Sequence, residues 1–187
     1  KGSAAAATAT AMATQGSEEA VAANLKTNVF AAAAQNVTLN VNGKDHTVKV
    51  EPRVTLLHVL RNNLNLTGCK EVDERSADGA DTVLIDGKTV LAGSRLAIEC
   101  EDKKIRTVES LRRGEKVDAV VAGFVKHDAM QCGFCTPGFV VATRAFLDKN
   151  PKASLADIQK GLGGNICRCG TYQGITMCAL EISKGGK

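Results

Sequence analysis

Seven cysteines stand in a chain of 187 residues, and four of them form two tight pairs, Cys132-Gly133-Phe134-Cys135 and Cys167-Arg168-Cys169. Two thiolates on one short turn can grip the same metal centre, and two such turns on neighbouring loops can close on it together. Gly133, Pro137, Gly138, Gly163, Gly164 and Gly170 lie beside the thiols, where small or rigid residues keep the backbone low over a metal. A structural zinc site usually uses clips with about two to four intervening residues, so the single residue between Cys167 and Cys169 is narrow for zinc. An iron-sulfur cluster divides its ligands between irons, takes four thiolates as its usual shell and accepts the narrower clip. Spacing alone therefore favours iron-sulfur and leaves zinc and disulfide pairing open.

Cys69, Cys100 and Cys178 have no partner spacing and read as buried free thiols. A Cys69 to Cys100 disulfide is conceivable if the protein is exported, and an odd count means that disulfides cannot use every thiol. His46, His58 and His127 are isolated and read as surface or packing residues. No serine, cysteine or carboxylate arrangement points to bond chemistry performed by this chain. With 44% apolar and 24% charged residues the chain can build a core without covalent staples. A net charge of +4, from 24 basic and 20 acidic residues scattered in both signs, is too weak for a nucleic-acid or membrane-surface footprint. Five phenylalanines and one tyrosine leave little for a base-stacking platform. The absence of any strongly apolar run of about 18 residues argues against a spanning helix.

Two kinds of material must position the thiols. Val37, Leu39 and Val41 alternate with polar residues, Asn42-Gly43 offers a tight turn, and Val48 and Val50 resume the alternation, which predicts a β-hairpin. Thr55 is placed to cap a helix through Leu56, Leu57, Val59 and Leu60 that ends near Gly68. Thr82 to Ile85, the Asp86-Gly87 turn and Lys88 to Leu91 predict a second hairpin, and Ile105 to Val108 a further strand. After Ser110 the strands stop. Helices are expected over Val117 to Met130, Gly138 to Lys149, Ser154 to Leu162 with Ser154 and Asp157 as a capping box, and Ile175 to Ser183. Strands first and helices later is an α+β or two-domain pattern.

Residues 1–35 differ in composition, being rich in alanine and small polar residues. Lys1-Gly2-Ser3 followed by Ala4 to Ala7 resembles an export signal, and in particular the stretch that follows the arginine pair of a twin-arginine signal. The expectation is therefore a periplasmic protein, with a disordered alanine-rich arm as the alternative.

Gln131-Cys-Gly-Phe-Cys-Thr-Pro-Gly138 and Gly164-Asn-Ile-Cys-Arg-Cys-Gly-Thr-Tyr-Gln-Gly-Ile175 together resemble the small iron-sulfur subunit of the molybdenum hydroxylases, the xanthine dehydrogenase and aldehyde oxidoreductase family. The likeness continues through Thr55-Leu-Leu-His-Val-Leu-Arg-Asn-Asn-Leu-Asn-Leu-Thr-Gly68 and Thr82-Val-Leu-Ile-Asp-Gly87, so it runs over roughly residues 36–183. It implies an N-terminal β-grasp, plant-ferredoxin-like domain over 36–109 and a C-terminal four-helix domain over 110–187. It implies that Cys132, Cys135, Cys167 and Cys169 ligate a 2Fe-2S cluster in the helical domain. Gln131 would touch the pterin of a molybdenum cofactor carried by a large partner subunit, and Cys169 would be the ligand nearest that pterin. Gln131 also reads as an ordinary amide at a helix end, and Arg168 as either an offset to cluster charge or a solvated side chain. The resemblance further implies that the partner oxidises an aldehyde or N-heterocycle and that electrons leave through this chain.

One part departs from the family. Relatives carry a second cluster in the β-grasp domain on a C-x4-C-x2-C run with a distant fourth cysteine. Here Asp73, Asp78 and Asp81 keep the gaps and Gly93 takes the fourth place. Three hard carboxylates and a glycine cannot reproduce four soft thiolates, so only one cluster is expected. A calcium-like cation on the aspartates is an alternative fate. The acceptor, a haem, flavin or further iron-sulfur subunit, is then expected near the helical domain, with a second copy of this subunit type completing the relay as the alternative. Two other roles compete: a scaffold subunit in which zinc or a redox-silent cluster only holds the helices together, and a free ferredoxin-like carrier.

Overall fold

In the computed structural model, which describes residues 32–186, Gln35–Val41 (β1) and Lys44–Val50 (β2) pair antiparallel with Val37 opposite Val48. That register places Val37, Leu39, Val41, Val48 and Val50 on one buried face. Asn42 and Gly43 both take positive φ, 55° and 81°, as the expected two-residue turn requires. The Asn42 side chain donates to Thr107 Oγ1 and accepts from the Thr107 N–H, both at 2.9 Å, which fastens the hairpin tip to the chain beyond.

Thr55 caps a short helix, Leu56–His58 (α1), by accepting from the His58 N–H, and the helix widens into a π turn over Val59–Asn63. The expected run to Gly68 is not reached. Leu64 N–H returns to Val59 O, Leu66 N–H to Leu60 O, and Asn65 turns to φ 55°, which ends the helical path. Thr82–Ile85 (β3) and Lys88–Leu91 (β4) form the second hairpin through the positive-φ pair Asp86-Gly87. Lys104–Arg106 (β5) is shorter than the expected 105–108 strand, because Val108 already belongs to a 3-10 turn over Val108–Leu111. The sheet order is β2-β1-β5-β3-β4, with β1 and β5 parallel and the other neighbours antiparallel. α1 and its π turn bury Leu56, Leu57, Val59 and Leu60 in the core of the sheet half.

Strands do not stop at Ser110. Arg112–Arg113 (β6) and Lys116–Val117 (β7) make a two-residue hairpin with Gly114 at φ 62°. Its side chains are all exposed, so it carries no alternation for sequence reading to detect.

Four α-helices follow among the described residues. Ala119–Lys126 (α2) is shorter than the expected 117–130 helix, because Asp118 caps it through the Val120 N–H and Asp128 at φ 50° breaks it. Thr136–Lys149 (α3) begins with a proline in its first turn, where the missing N–H costs nothing. Leu155–Gly161 (α4) starts on the expected Ser154/Asp157 capping box, and Tyr172–Ser183 (α5) follows. Phe124, Phe139, Ile158 and Ile175 fill the core of the helical half. Leu84 of β3 meets Val141 and Ala145 of α3 in a third cluster that joins the two cores. The alanine-rich arm lies, as far as Ala31, outside the described residues.

Candidate metal centre

Cys132 and Cys135 occupy the loop between α2 and α3, and Cys167 and Cys169 the loop between α4 and α5. Gly133 at φ 79° reverses the chain between the first two thiols, and Gly170 at φ 80° closes the second clip, where its N–H returns to Cys167 O. Cys135 is the residue that caps α3, and its side chain makes no capping hydrogen bond. Cys132 is exposed, Cys135 and Cys169 half-buried and Cys167 buried, so the set grades from the surface inward.

The inner members of the two clips, Cys135 and Cys167, lie near enough for each to influence the titration of the other. Burial, with the hydrogen bond and charge of Cys167 and the charge of Cys132, pushes the Cys135 thiol up to about 12. Burial also acts to raise Cys167, but hydrogen bonds from Thr171, Cys135 and Cys169 outweigh it and bring that thiol down to about 7. Thr171 Oγ1 lies 3.1 Å from Cys167 Sγ, and the Cys167 N–H donates to the Tyr172 hydroxyl at 2.8 Å. The Tyr172 ring stands edge-on to Phe139, with centroids 6.1 Å apart, which fixes that hydroxyl. Sequence reasoning gave Thr171 and Tyr172 no role; a hydroxyl four residues past a ligand-type thiol was the available signal.

Among the described residues, no three of His, Cys, Asp or Glu gather as the shell of a single metal ion. A two-iron cluster divides four thiolates between its irons and does not need them to converge on one point. The all-thiol donor set, the placing of both clips on loops that open helices and the positive-φ glycines at their turns fit such a cluster. Gln131 is exposed beside Cys132, and Arg168 is exposed between its two thiols. An apolar groove of about 570 Å³, lined in part by Phe139, Ile166, Tyr172 and Met177, runs beside the second clip.

Residues 107–179 match the family model described as a 2Fe-2S binding domain. The chain is 39% identical over 145 residues to the nicotine 6-hydroxylase small subunit of Paenarthrobacter nicotinovorans, covering 78% of this chain and 87% of that protein. It belongs to the small iron-sulfur subunits of the molybdenum hydroxylases. The subunit is also 35% identical over 164 residues to the aldehyde oxidoreductase iron-sulfur-binding subunit PaoA of Escherichia coli K12, covering 80% of this chain and 71% of that one. The quinoline 2-oxidoreductase from Pseudomonas putida 86 superposes with a TM-score of 0.77 at 37% identity, over 80% of this chain and 93% of that one. This iron-sulfur subunit therefore serves electron transfer in an oxidoreductase complex and is not its catalytic part. No observation favours the purely structural alternative.

The sheet half of the subunit does not fit a second cluster. Asp81 is 2% exposed, and its Oδ2 accepts the Gly93 N–H at 2.6 Å, so the carboxylate at the third ligand place bonds the backbone at the fourth. A side chain at Gly93 would run into Ser76 Oγ and Asp81 Oδ2. Asp73 accepts the N–H groups of Arg75 and Ala77, and Asp78 that of Ala80. Asp73 and Asp78 thus hold their own stretches of loop, and Asp81 ties the loop to Gly93. Cys69 is buried with its thiol toward Asp81 O, and burial pushes it up to about 12.

Proposed function

We propose that Cys132, Cys135, Cys167 and Cys169 hold one 2Fe-2S cluster and that it is the only cluster in the subunit. When bound, the cluster supplies a one-electron station between a molybdenum centre and an external acceptor. The observation that carries the reading is the all-thiol donor set on the loops that open α3 and α5, with Cys167 held by Thr171 and Tyr172, alongside an aspartate loop whose Asp81 carboxylate is taken up by the Gly93 N–H. Thr171 and Tyr172 hold Cys167 at its sulfur and at its N–H, which limits the freedom of the ligand.

The strand order and the four helices support the finer architecture, a β-grasp domain over 36–109 and a four-helix domain over 110–187. Gln131 and Cys169 face a molybdopterin-type cofactor in a large partner subunit, with Gln131 as an exposed amide able to donate and accept toward a pterin edge. The partner oxidises an aldehyde or N-heterocycle, chemistries that the names of the relatives support. Its acceptor, a haem, flavin or further iron-sulfur subunit, docks near the helical domain, since the sheet half offers no onward station. The alanine-rich arm supports export to the periplasm by a twin-arginine route; among the described residues no helix is long and apolar enough to cross a membrane.

Metal and sulfide analysis of the purified chain tests the central claim. About two irons and two sulfides per chain, with a reducible visible spectrum, is the expected result. One zinc without colour overturns the electron-transfer assignment of these four thiols, and about four irons overturns the exclusion of a second cluster.

A further inference from the structure

The aspartate loop holds itself together, and it also holds the ligand loops. Asp78 O accepts the Ile166 N–H at 2.8 Å, one residue before Cys167. Asn165 Nδ2 donates to Gly79 O at 2.8 Å and to Thr82 Oγ1 at 3.2 Å, and Thr82 Oγ1 itself donates to Gly79 O at 2.7 Å. On the other side Gly138, in the first turn after Cys135, packs so closely that a Cβ there would meet Gly79 O and the Ala80 backbone. Gly79 has φ 75°, and a Cβ on it would meet the Asn165 side chain and Gly164 O. Lys70, at the head of the same loop, sits 5.8 Å from the centre of the Phe134 ring between the first two thiols. The loop therefore touches the segments carrying both clips.

We infer that Asn165 is a positioning residue, which clamps the Cys167–Cys169 clip to residues 78–82 so that the aspartate loop sets the geometry and hydrogen bonding of the cluster in the helical half. This rests on the cluster reading above. The physical content lies in where the donors point. Ile166 N–H is committed to Asp78 O and the Asn165 amide to Gly79 and Thr82, so neither donates to a ligand sulfur. Hydrogen bonds to cluster sulfurs and exposure to water both stabilise the more negative, reduced state. Releasing the clamp frees a backbone N–H beside Cys167 and admits water, and both changes raise the reduction potential. Two lost hydrogen bonds of ordinary strength also loosen one ligand loop.

The test uses the full chain with its cluster, comparing Asn165→Ala and Thr82→Val with the wild type and with Thr47→Val, a matched change on the exposed face of β2. Thr82 lies on β3, in the sheet half and far in sequence from any ligand, so its variant reports the clamp and not local damage to the ligand loop. Expected for Asn165→Ala and, to a smaller extent, Thr82→Val are a positive shift of midpoint potential, altered electron paramagnetic resonance line shape and faster iron loss to a chelator. For Asn165→Ala the loss should be about tenfold faster, the effect of one to two ordinary hydrogen bonds. Thr47→Val leaves all three readings unchanged. Unchanged potential and line shape in both clamp variants overturns the inference while leaving the cluster reading intact, and so does a change in Asn165→Ala alone. If Asn165→Ala fails to fold, Thr82→Val decides by the same readings. A wild-type chain that holds no iron removes the cluster reading and this inference with it.

Discussion

Asp81 stands where a cysteine would bind iron, and its replacement by alanine and by asparagine should separate the jobs that its carboxylate does. Its Oδ2 takes the Gly93 N–H at 2.6 Å, and the residue is 2% exposed. Asp81→Ala leaves the Gly93 N–H without its acceptor, at about 1–3 kcal/mol for the group left unsatisfied. Release of a buried carboxylate from its desolvation penalty returns part of that, and Oδ1, buried without a partner, marks how incompletely the penalty is met. A net loss of about 1–2 kcal/mol lowers the melting temperature by about 2–8 °C in a protein of this size. Asp81→Asn keeps an acceptor for Gly93 and removes the charge. Burial, the largest influence, with a contribution from the Asp78 charge, raises the Asp81 pKa despite the hydrogen bonds from Gly93 and Ser76. A raised folded-state pKa contributes stability that is full below the unfolded carboxylate value and is lost as pH rises through the folded value. The asparagine variant should therefore gain on the wild type as pH rises and lose that advantage in acid. Thermal melts followed by circular dichroism at about pH 4 and about pH 8 bracket that change around the ordinary carboxylate range. An alanine variant that melts with the wild type, or an asparagine variant that loses ground as pH rises, refutes the reasoning.

Serine at any of Cys132, Cys135, Cys167 or Cys169 should lower bound iron, whereas serine at Cys69, Cys100 or Cys178 should leave the iron content and visible spectrum in place. Gly138→Ala should destabilise by about 1–3 kcal/mol in a urea titration, because its Cβ meets the immobile backbone of Gly79 and Ala80; the helix-propensity gain of about 1 kcal/mol is smaller. The hydrogen bonds of Lys126 and then His127 hold Glu181 below the usual carboxylate range. That stability is present above the unfolded value and fades as pH falls through the folded one, so Glu181→Gln should flatten the acid side of the melting-temperature profile. Cysteines restored together at Asp73, Asp78, Asp81 and Gly93 should not be required for turnover in the assembled complex; turnover by the restored form alone refutes an acceptor docked near the helical domain.

What was legible in the sequence was local. Asn42-Gly43 and Asp86-Gly87 carry positive φ wherever they occur between apolar alternations, and Thr55, Ser154 and Asp157 cap through bonds only three residues long. The two cysteine clips are local as well, and so they could be read directly. The helix ends at Asn63 and Lys126 were missed because Asn65 and Asp128 enter the left-handed region without being glycine. The clamp was not legible at all. Asn165 meets Gly79 across 86 positions, and nothing in the residues near either predicts the meeting. The same holds for Asp81 and Gly93. The spacing identified them as lost ligand places, but that the carboxylate of one bonds the amide of the other follows from the fold.

In a plant-type site iron both carries an electron and ties separated stretches of chain together, and only the first of these jobs disappears with the thiols. The tie is still needed, because residues 78–82 rest against Gly138 on one side and Asn165-Ile166 on the other. A loop of flexible residues in that place would surrender both contacts to conformational entropy, at about 1–2 kcal/mol for each residue released. Aspartate answers the steric and hydrogen-bonding demands together. It is short enough to fold back on the N–H two to four residues ahead, as Asp73 and Asp78 do, and long enough at position 81 to reach Gly93. Alanine at these places would match the loss of iron but not the retention of shape. The carboxylates thus keep the loop in the form that the neighbouring loops require.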